Sequence, residues 1–263
     1  MKAIQTLCLA VGLMVLIPPA VLCQEKKSEE KFDVHGYIST GPQYGYIGRR
    51  ISRNLFPGWM QWTELDINLE NGVFLNLWDS MALERLPSNT HAGDEFDATI
   101  GWRGEIPGDF RLRLSTTLFN LYPIDTWWTK DVAVQSLWLS KQFDLGEHSL
   151  IPELRTEWIS KTSDFGGGAL ILIPMITHVW QRPFGIEKLK LFNTSAFARD
   201  DGFNGAGNNS KGIFYRWDGA IELKLSKNLF LTPSVTVQVP LNNPHDGREN
   251  VEVASGISLR YKF

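Results

Sequence analysis

Cysteine is nearly missing from this sequence: there are two, Cys8 and Cys23, and both fall within the first 23 positions. The rest of the chain cannot be stapled by disulfides, so an exported domain made from it has to be held by its own hydrogen bonding. Basic tracts are missing as well, and a formal net charge of −3 gives nucleic acid no electrostatic hold. The five histidines, His35, His91, His148, His178 and His245, are dispersed, and none has a second histidine at metal-ligand spacing. No phosphate-cradling glycine motif, Cys/His cluster or nucleophile elbow occurs, so neither a cofactor nor a metal is expected. With 43% hydrophobic and 21% charged residues, there is no surplus of apolar sequence from which to build several helical spans of about 20 residues each.

One long apolar run exists, residues 4–22, behind Lys2 and before a polar stretch. A charged start, an apolar middle and a polar continuation read as a signal peptide over residues 1–23, with cleavage after Cys23 or, earlier, at Ala20. An uncleaved anchor helix and a lipidated Cys23 are the competing readings. The large Leu22 directly before the cysteine speaks against lipidation. Residues 24–31 form a charged, flexible arm. From 32 to 263 no linker or internal repeat divides the chain, which is read as one domain.

That domain is a succession of strand-like runs: 32–40 with a continuation over 44–47, 60–70, 73–84, 95–105, 110–120, 132–143, 149–159, 169–181, 186–198, 213–225, 229–239 and 251–263. These make about twelve, each long enough for the roughly 9–11 residues that a tilted strand needs to cross a bilayer. The connections alternate in length. Turns at 70–72 (with Asn71-Gly72), 106–109, 144–147, 182–185 and 226–228 are short, whereas 48–59, 85–94, 121–131, 160–168, 199–211 and 240–250 are long.

The last run carries the clearest pattern. Val251, Val253, Ser255, Ile257, Leu259, Tyr261 and Phe263 share one face, and Glu252, Ala254, Gly256, Ser258, Arg260 and Lys262 share the other. In 213–225 four ionisable residues, Arg216, Asp218, Glu222 and Lys224, line a single face, which has to meet water or opposite charges. Asp97 with Arg103, Arg111 with Arg113, Glu153 with Arg155 and Glu157, and Glu64 with Asp66 repeat the arrangement on other strands. A sheet solvated on one side would alternate in the same way, so a secreted β-sandwich remains open from any one strand alone. Runs 169–175, 186–198 and 132–140 show no decisive phase. An apolar patch on the inner face, or packing against an inward-folded loop, would account for them.

Strand rhythm, the leader, ten tryptophans and the terminal Tyr261-Lys262-Phe263 together resemble the outer-membrane β-barrels of Gram-negative bacteria, and in size the twelve-stranded porins, TorF-like and nucleoside-channel-like. The resemblance implies an all-β fold, a single closed antiparallel up-and-down barrel of about twelve strands over residues 32–263, with the arm 24–31 in the periplasm. It also implies that Leu259, Tyr261 and Phe263 are read by the barrel-assembly machinery, that the outer face meets outer-membrane lipid, and that small polar solutes diffuse through. Glu64, Asp66, Asp97, Arg103, Arg111, Arg113, Glu153, Arg155, Glu157, Arg216, Asp218, Glu222 and Lys224 would line the pore. Two alternatives stand beside it. One is a non-conducting structural or partner-binding barrel; the other is a barrel enzyme acting on outer-membrane lipid, for which His148-Ser149 is the tempting pair. Adjacent strand residues point to opposite faces, which argues against that pair and leaves no catalytic residue expected. The oxygen-rich loop 200–210 lacks calcium-loop spacing and reads as a flexible polar loop.

Overall fold

The computed structural model describes residues 34–47, 54–84, 94–121, 132–160, 169–201, 211–241 and 251–263. The leader, the arm, Phe32 and most of the long connections expected from the sequence lie outside the described residues. The strands are β1 (Val34–Ile47), β2 (Asn54–Leu69), β3 (Val73–Ala82), β4 (Glu95–Ile106), β5 (Phe110–Leu121), β6 (Val132–Lys141), β7 (Phe143–Leu145), β8 (His148–Ile159), β9 (Ala169–Gln181), β10 (Leu189–Asp201), β11 (Lys211–Lys224), β12 (Leu229–Pro240) and β13 (Glu252–Lys262). Segments β6 and β7 both pair with β8 and form one strand interrupted at Gln142. Each strand pairs antiparallel with its neighbours in sequence, and β1 pairs with β13. The sheet is therefore a closed barrel of twelve strands. Closure is complete to the last residue, because Gly36 N–H donates to the Phe263 carbonyl and Phe263 N–H to the Gly36 carbonyl, both at 3.1 Å. Among the described strands, no backbone edge is left for another chain to extend.

Several boundaries differ from the sequence reading, among them the end of β10 at Asp201 and the start of β11 at Lys211. Strand β2 begins at Asn54, so much of the expected loop 48–59 is strand. Pro57-Gly58 looks like turn chemistry, but it sits in an irregular stretch of the β1/β2 ladder opposite Gly45, whose φ is +76°. The expected strand 186–198 starts at Leu189, because Pro183–Gly185 form a 3-10 turn and Ile186 N–H still donates to Pro183. The expected strand 132–143 is broken at Gln142, and β3 stops at Ala82.

Prolines account for several irregularities. Pro42, Pro152, Pro174 and Pro233 all lie inside strands and are exposed on the outer face. Each has no N–H, and next to each the ladder lapses on one side: β1/β13 between Thr40 and Gln43, β9/β10 between Met175 and Leu172, β11/β12 between Ser234 and Leu231, and β6–β7/β8 at Gln142.

The outer face is the apolar one. Ile100, Leu114, Leu137, Leu154, Ile176, Ile221, Ile257 and Leu259 are all exposed on it. Outward aromatics gather at both ends. Tyr44 packs edge-on against Trp59 and Phe197 tilts against Tyr215 at the long-loop end, with Trp158 close by in height. At the short-turn end lie Phe110, Phe143, Trp180, Phe184, Tyr261 and Phe263, and Lys141 reaches over Phe110 and Phe143 to donate to the Gly108 carbonyl. Polar and small side chains fill the inner face, among them Ser39, Asp66, Thr99, Ser115, Thr117, Glu157, Gln238 and Ser258.

Turn backbone fixes which residues face inward. Gly72 has φ +85°, and a Cβ there would stand 2.3 Å from the Arg103 carbonyl oxygen; Gly146 has φ +70° with nothing within 4 Å. Replacing Gly72 by Ala is expected to cost more than about 1 kcal/mol in urea unfolding, since strain and clash add. Gly146→Ala, with strain alone, should cost measurably less.

Candidate functional site

The interior charges are placed by the period of the strands and the register set in two tight turns. The Asn71-Gly72 turn, closed by Gly72 N–H to the Leu69 carbonyl at 2.9 Å, sets Asp66 opposite Asn76 and Asn68 opposite Phe74. The turn after Ile106, with Gly108 and Asp109 both at positive φ, sets Arg103 opposite Arg113 and Glu105 opposite Arg111. The ladder then carries one row on through Trp138 to Arg155, and a second through Ser140 to Glu153. Two adjacent inner rows thus run Arg103, Arg113, Trp138, Arg155 and Glu105, Arg111, Ser140, Glu153.

Three guanidinium groups in one row would repel each other if nothing intervened. Aromatic faces intervene. Arg103 lies 4.8 Å from the Phe74 ring, Arg113 lies 4.5 Å from Phe74 and 4.3 Å from Trp138, and Arg155 lies 4.1 Å from Trp138. Each such contact contributes roughly 0.5–2 kcal/mol depending on how dry it is. Asp66, only 2% exposed, anchors the start of the row: it accepts from Arg103 Nη2 at 2.5 Å, Asn68 Nδ2 at 2.7 Å and Asn76 Nδ2 at 3.3 Å. Asn76 also donates to Glu64 Oε1 at 2.8 Å. Between Arg103, Glu105, Arg111, Arg113, Trp138, Ser140 and Glu153 lies a cavity of about 300 Å³.

Elsewhere the ion pairs form within a strand or between near neighbours. Arg155 Nε donates to Glu157 Oε1 at 2.5 Å, and the pair is almost fully buried. Arg216 grips Asp218 with Nε and Nη2 at 2.8–3.0 Å, reaches the Ile47 carbonyl with Nη1 at 3.2 Å, and shares Asp218 with the Thr236 hydroxyl. Glu222 stands 3.9 Å from Arg260, which overlies Tyr37. Arg111 meets Glu105 at 3.9 Å near the turn end, where both are exposed, and Lys224 is exposed as well. Asp97 is buried on the same inner face. All thirteen charged residues singled out from the sequence therefore lie on the inner face. The Arg155–Glu157 and Arg216–Asp218 pairs run along the wall, within one strand.

Sequence reading missed the aromatic half of this surface. Phe74, Trp138 and Tyr37 point inward, and Trp138 among Ser136 and Ser140 is why 132–140 shows no clean alternation. It also did not locate the apolar inner cluster of Val134, Ile159, Ile171, Ile173, Ala196, Ala198 and Phe214. That cluster explains why 169–175 is apolar on both sides: Leu170, Leu172 and Ile176 are exposed outside, while Ile171 and Ile173 are buried within.

His148 and Ser149 do not meet. His148 Nδ1 lies 3.0 Å from His178 Nε2 on the outer face, and the Ser149 hydroxyl donates inward to Asp144 at 2.7 Å. No group of three or more potential metal ligands exists among the described residues.

No family model matches the chain, and no curated protein is similar to it in sequence. Its fold is shared with solved outer-membrane channels. A NanC porin superposes with a TM-score of 0.57 at 6% identity, covering 86% of this chain and 100% of that one. The COG4313 outer membrane channel from Pseudomonas putida F1 gives 0.55 at 8% identity, over 91% and 100%. A KdgM porin gives 0.52 at 11%, over 86% and 99%. At such identities the likeness is one of architecture: a porin-like barrel.

The buried pair supplies a test of the interior. Glu157→Leu, which removes the carboxylate from beside Arg155, is expected to lower stability by about 3–5 kcal/mol. Adding Arg155→Met should restore most of that loss in the same denaturant titration.

Proposed function

We propose that this chain is an outer-membrane channel through which small polar solutes diffuse passively. The observation that carries the reading is a closed twelve-strand barrel with an apolar exterior, aromatic at both ends, around a wall of charged and hydroxyl-bearing side chains. Such an exterior suits hydrocarbon between two headgroup zones. Leu259, Tyr261 and Phe263, exposed side by side on the closing strand, suit recognition by the assembly machinery before the seam is made. The long-loop end then faces outward and the short turns face the periplasm.

Inside, the Arg103–Arg113–Trp138 surface offers a solute fixed positive charge beside a flat apolar plane, with Glu105 and Glu153 one row away. Fixed charges on the wall of a narrow aqueous path select by sign and order the water within it. Anions and neutral polar rings are the solutes this surface favours. A second reading, a barrel that does not conduct, is favoured by the dry Arg155–Glu157 pair and the apolar inner cluster on β6 and β8–β11.

Planar-bilayer recording separates the two. Folded protein should give discrete current steps, and Arg113→Glu should shift the reversal potential in a salt gradient toward cation selectivity. Inserted protein that yields no steps removes the channel reading and leaves the second.

A further inference from the structure

Over β1–β3 the outer wall carries a polar row at mid-height. Thr40, Thr63 and Asp79 lie there in one row, directly opposite one another across the ladder, with Gln61 one step away beside Met81. All four share the outward phase of Ile38, Leu75 and Met81, which are exposed. The hydroxyls and the amide are linked: Thr40 Oγ1 and Thr63 Oγ1 are 3.0 Å apart, Gln61 Nε2 donates to Thr40 Oγ1 at 2.8 Å and to the Trp62 carbonyl at 3.3 Å, and Thr40 Oγ1 donates to the Trp62 carbonyl at 2.9 Å. Asp79 is exposed at the end of the row, and Asp94, a carboxylate of the same sign, acts on it.

Thr63 lies four residues along β2 from Trp59 of the loop-end aromatic belt. That is roughly 13 Å of strand, or on the order of 10 Å of depth at the usual tilt. A carboxyl group so placed against hydrocarbon is costly, and intramembrane ionisable residues almost always face protein or water. Across the ladders of one copy Asp79 stands between Thr63 and Phe96, and a second copy can add further donors. A two-fold axis along the membrane normal, passing beside β2, sets β3 of one copy against β1 of the other. Each Asp79 then faces the Thr40 and Gln61 side chains of its mate, whose hydrogens turn to it from the Trp62 carbonyl, and the exposed Ile38, Leu75 and Met81 are covered at the same time.

We propose that the β1–β3 face is a self-complementary interface through which two copies of this chain pair in the membrane, Asp79 of each accepting from the polar row of the other. The inference rests on the barrel spanning a bilayer, and the test keeps the two apart. Cys8 and Cys23 are first replaced by Ser; Leu65→Cys then marks the interface and Leu172→Cys, on β9, the far wall. Insertion into vesicles is scored by flotation and retained heat-modifiable migration. For inserted protein, a short bifunctional maleimide should give a covalent dimer at Leu65→Cys at least five-fold more than at Leu172→Cys. Adding Asp79→Leu, or Gln61→Leu as a second variant, should cut that yield at least five-fold, while Asp79→Asn, which can still accept a hydrogen bond, should keep most of it. Inserted protein that gives no dimer, equal yields at the two walls, or a yield indifferent to Asp79→Leu and Gln61→Leu overturns the interface. Failure to insert at all would overturn the membrane reading and the interface with it.

Discussion

The constraint on which everything else depends is that a backbone amide cannot be left without a partner where there is no water. An open sheet of these strands would present two bare edges, and the β1/β13 seam removes both. Its hydrogen bonds run from Tyr44 opposite Ser255 to the mutual pair between Gly36 and Phe263, so the chain uses its last residue to finish the ring. Once the ring is closed, side chains have only two places to go, and period 2 sorts them. Charged residues cluster inside because alternate positions on one strand are committed together.

That sorting gives the interior its character. Arg155 and Glu157, or Arg216 and Asp218, are two residues apart on one strand, so a shared face makes them neighbours. The more demanding arrangement is the row of three arginines, which no local spacing provides. It needs the register of β4, β5, β6 and β8 to be correct at once, and it needs Phe74 and Trp138 to lie between the cations. Asp66 pairs with Arg103 at one end and Glu157 with Arg155 at the other, and the aromatic planes between them let Arg113 stand beside like charges.

Much of the barrel was legible in the sequence because turns and alternation are local signals. Asn71-Gly72 marks a hairpin on its own, and Ala169–Gln181 carries the same limits by pattern and by structure. The errors have physical causes. Pro57-Gly58 imitates a turn but is absorbed by an irregularity in β2; Ile186 belongs to a turn whose backbone folds back on Pro183. In β10 the inner face is Lys190, Phe192, Thr194, Ala196 and Ala198, and the outer one includes Asn193 and Ser195, so neither face reads as apolar. For the candidate site, the charges could be phased strand by strand, yet their neighbours across strands could not. The cation–aromatic row is a tertiary feature assembled from four separate strands.

Pro57 stands in the irregular stretch of β1/β2, and four other strand prolines, Pro42, Pro152, Pro174 and Pro233, adjoin a lapse in the ladder. Their lapses fall at β1/β13, at the junction of β6 and β7 with β8, at β9/β10 and at β11/β12, whereas the ladders joining β2, β3, β4, β5 and β6 run without a gap. The lapses therefore all fall between β6 and β1 by way of β13, alternating with the unbroken β8/β9, β10/β11 and β12/β13 ladders, and the arginine row begins in the part without lapses. When lateral pressure squeezes the cylinder out of round, bending concentrates at the lapses. Unbroken hydrogen bonding at each step from Arg103 through Arg113 to Trp138 opposes such bending there.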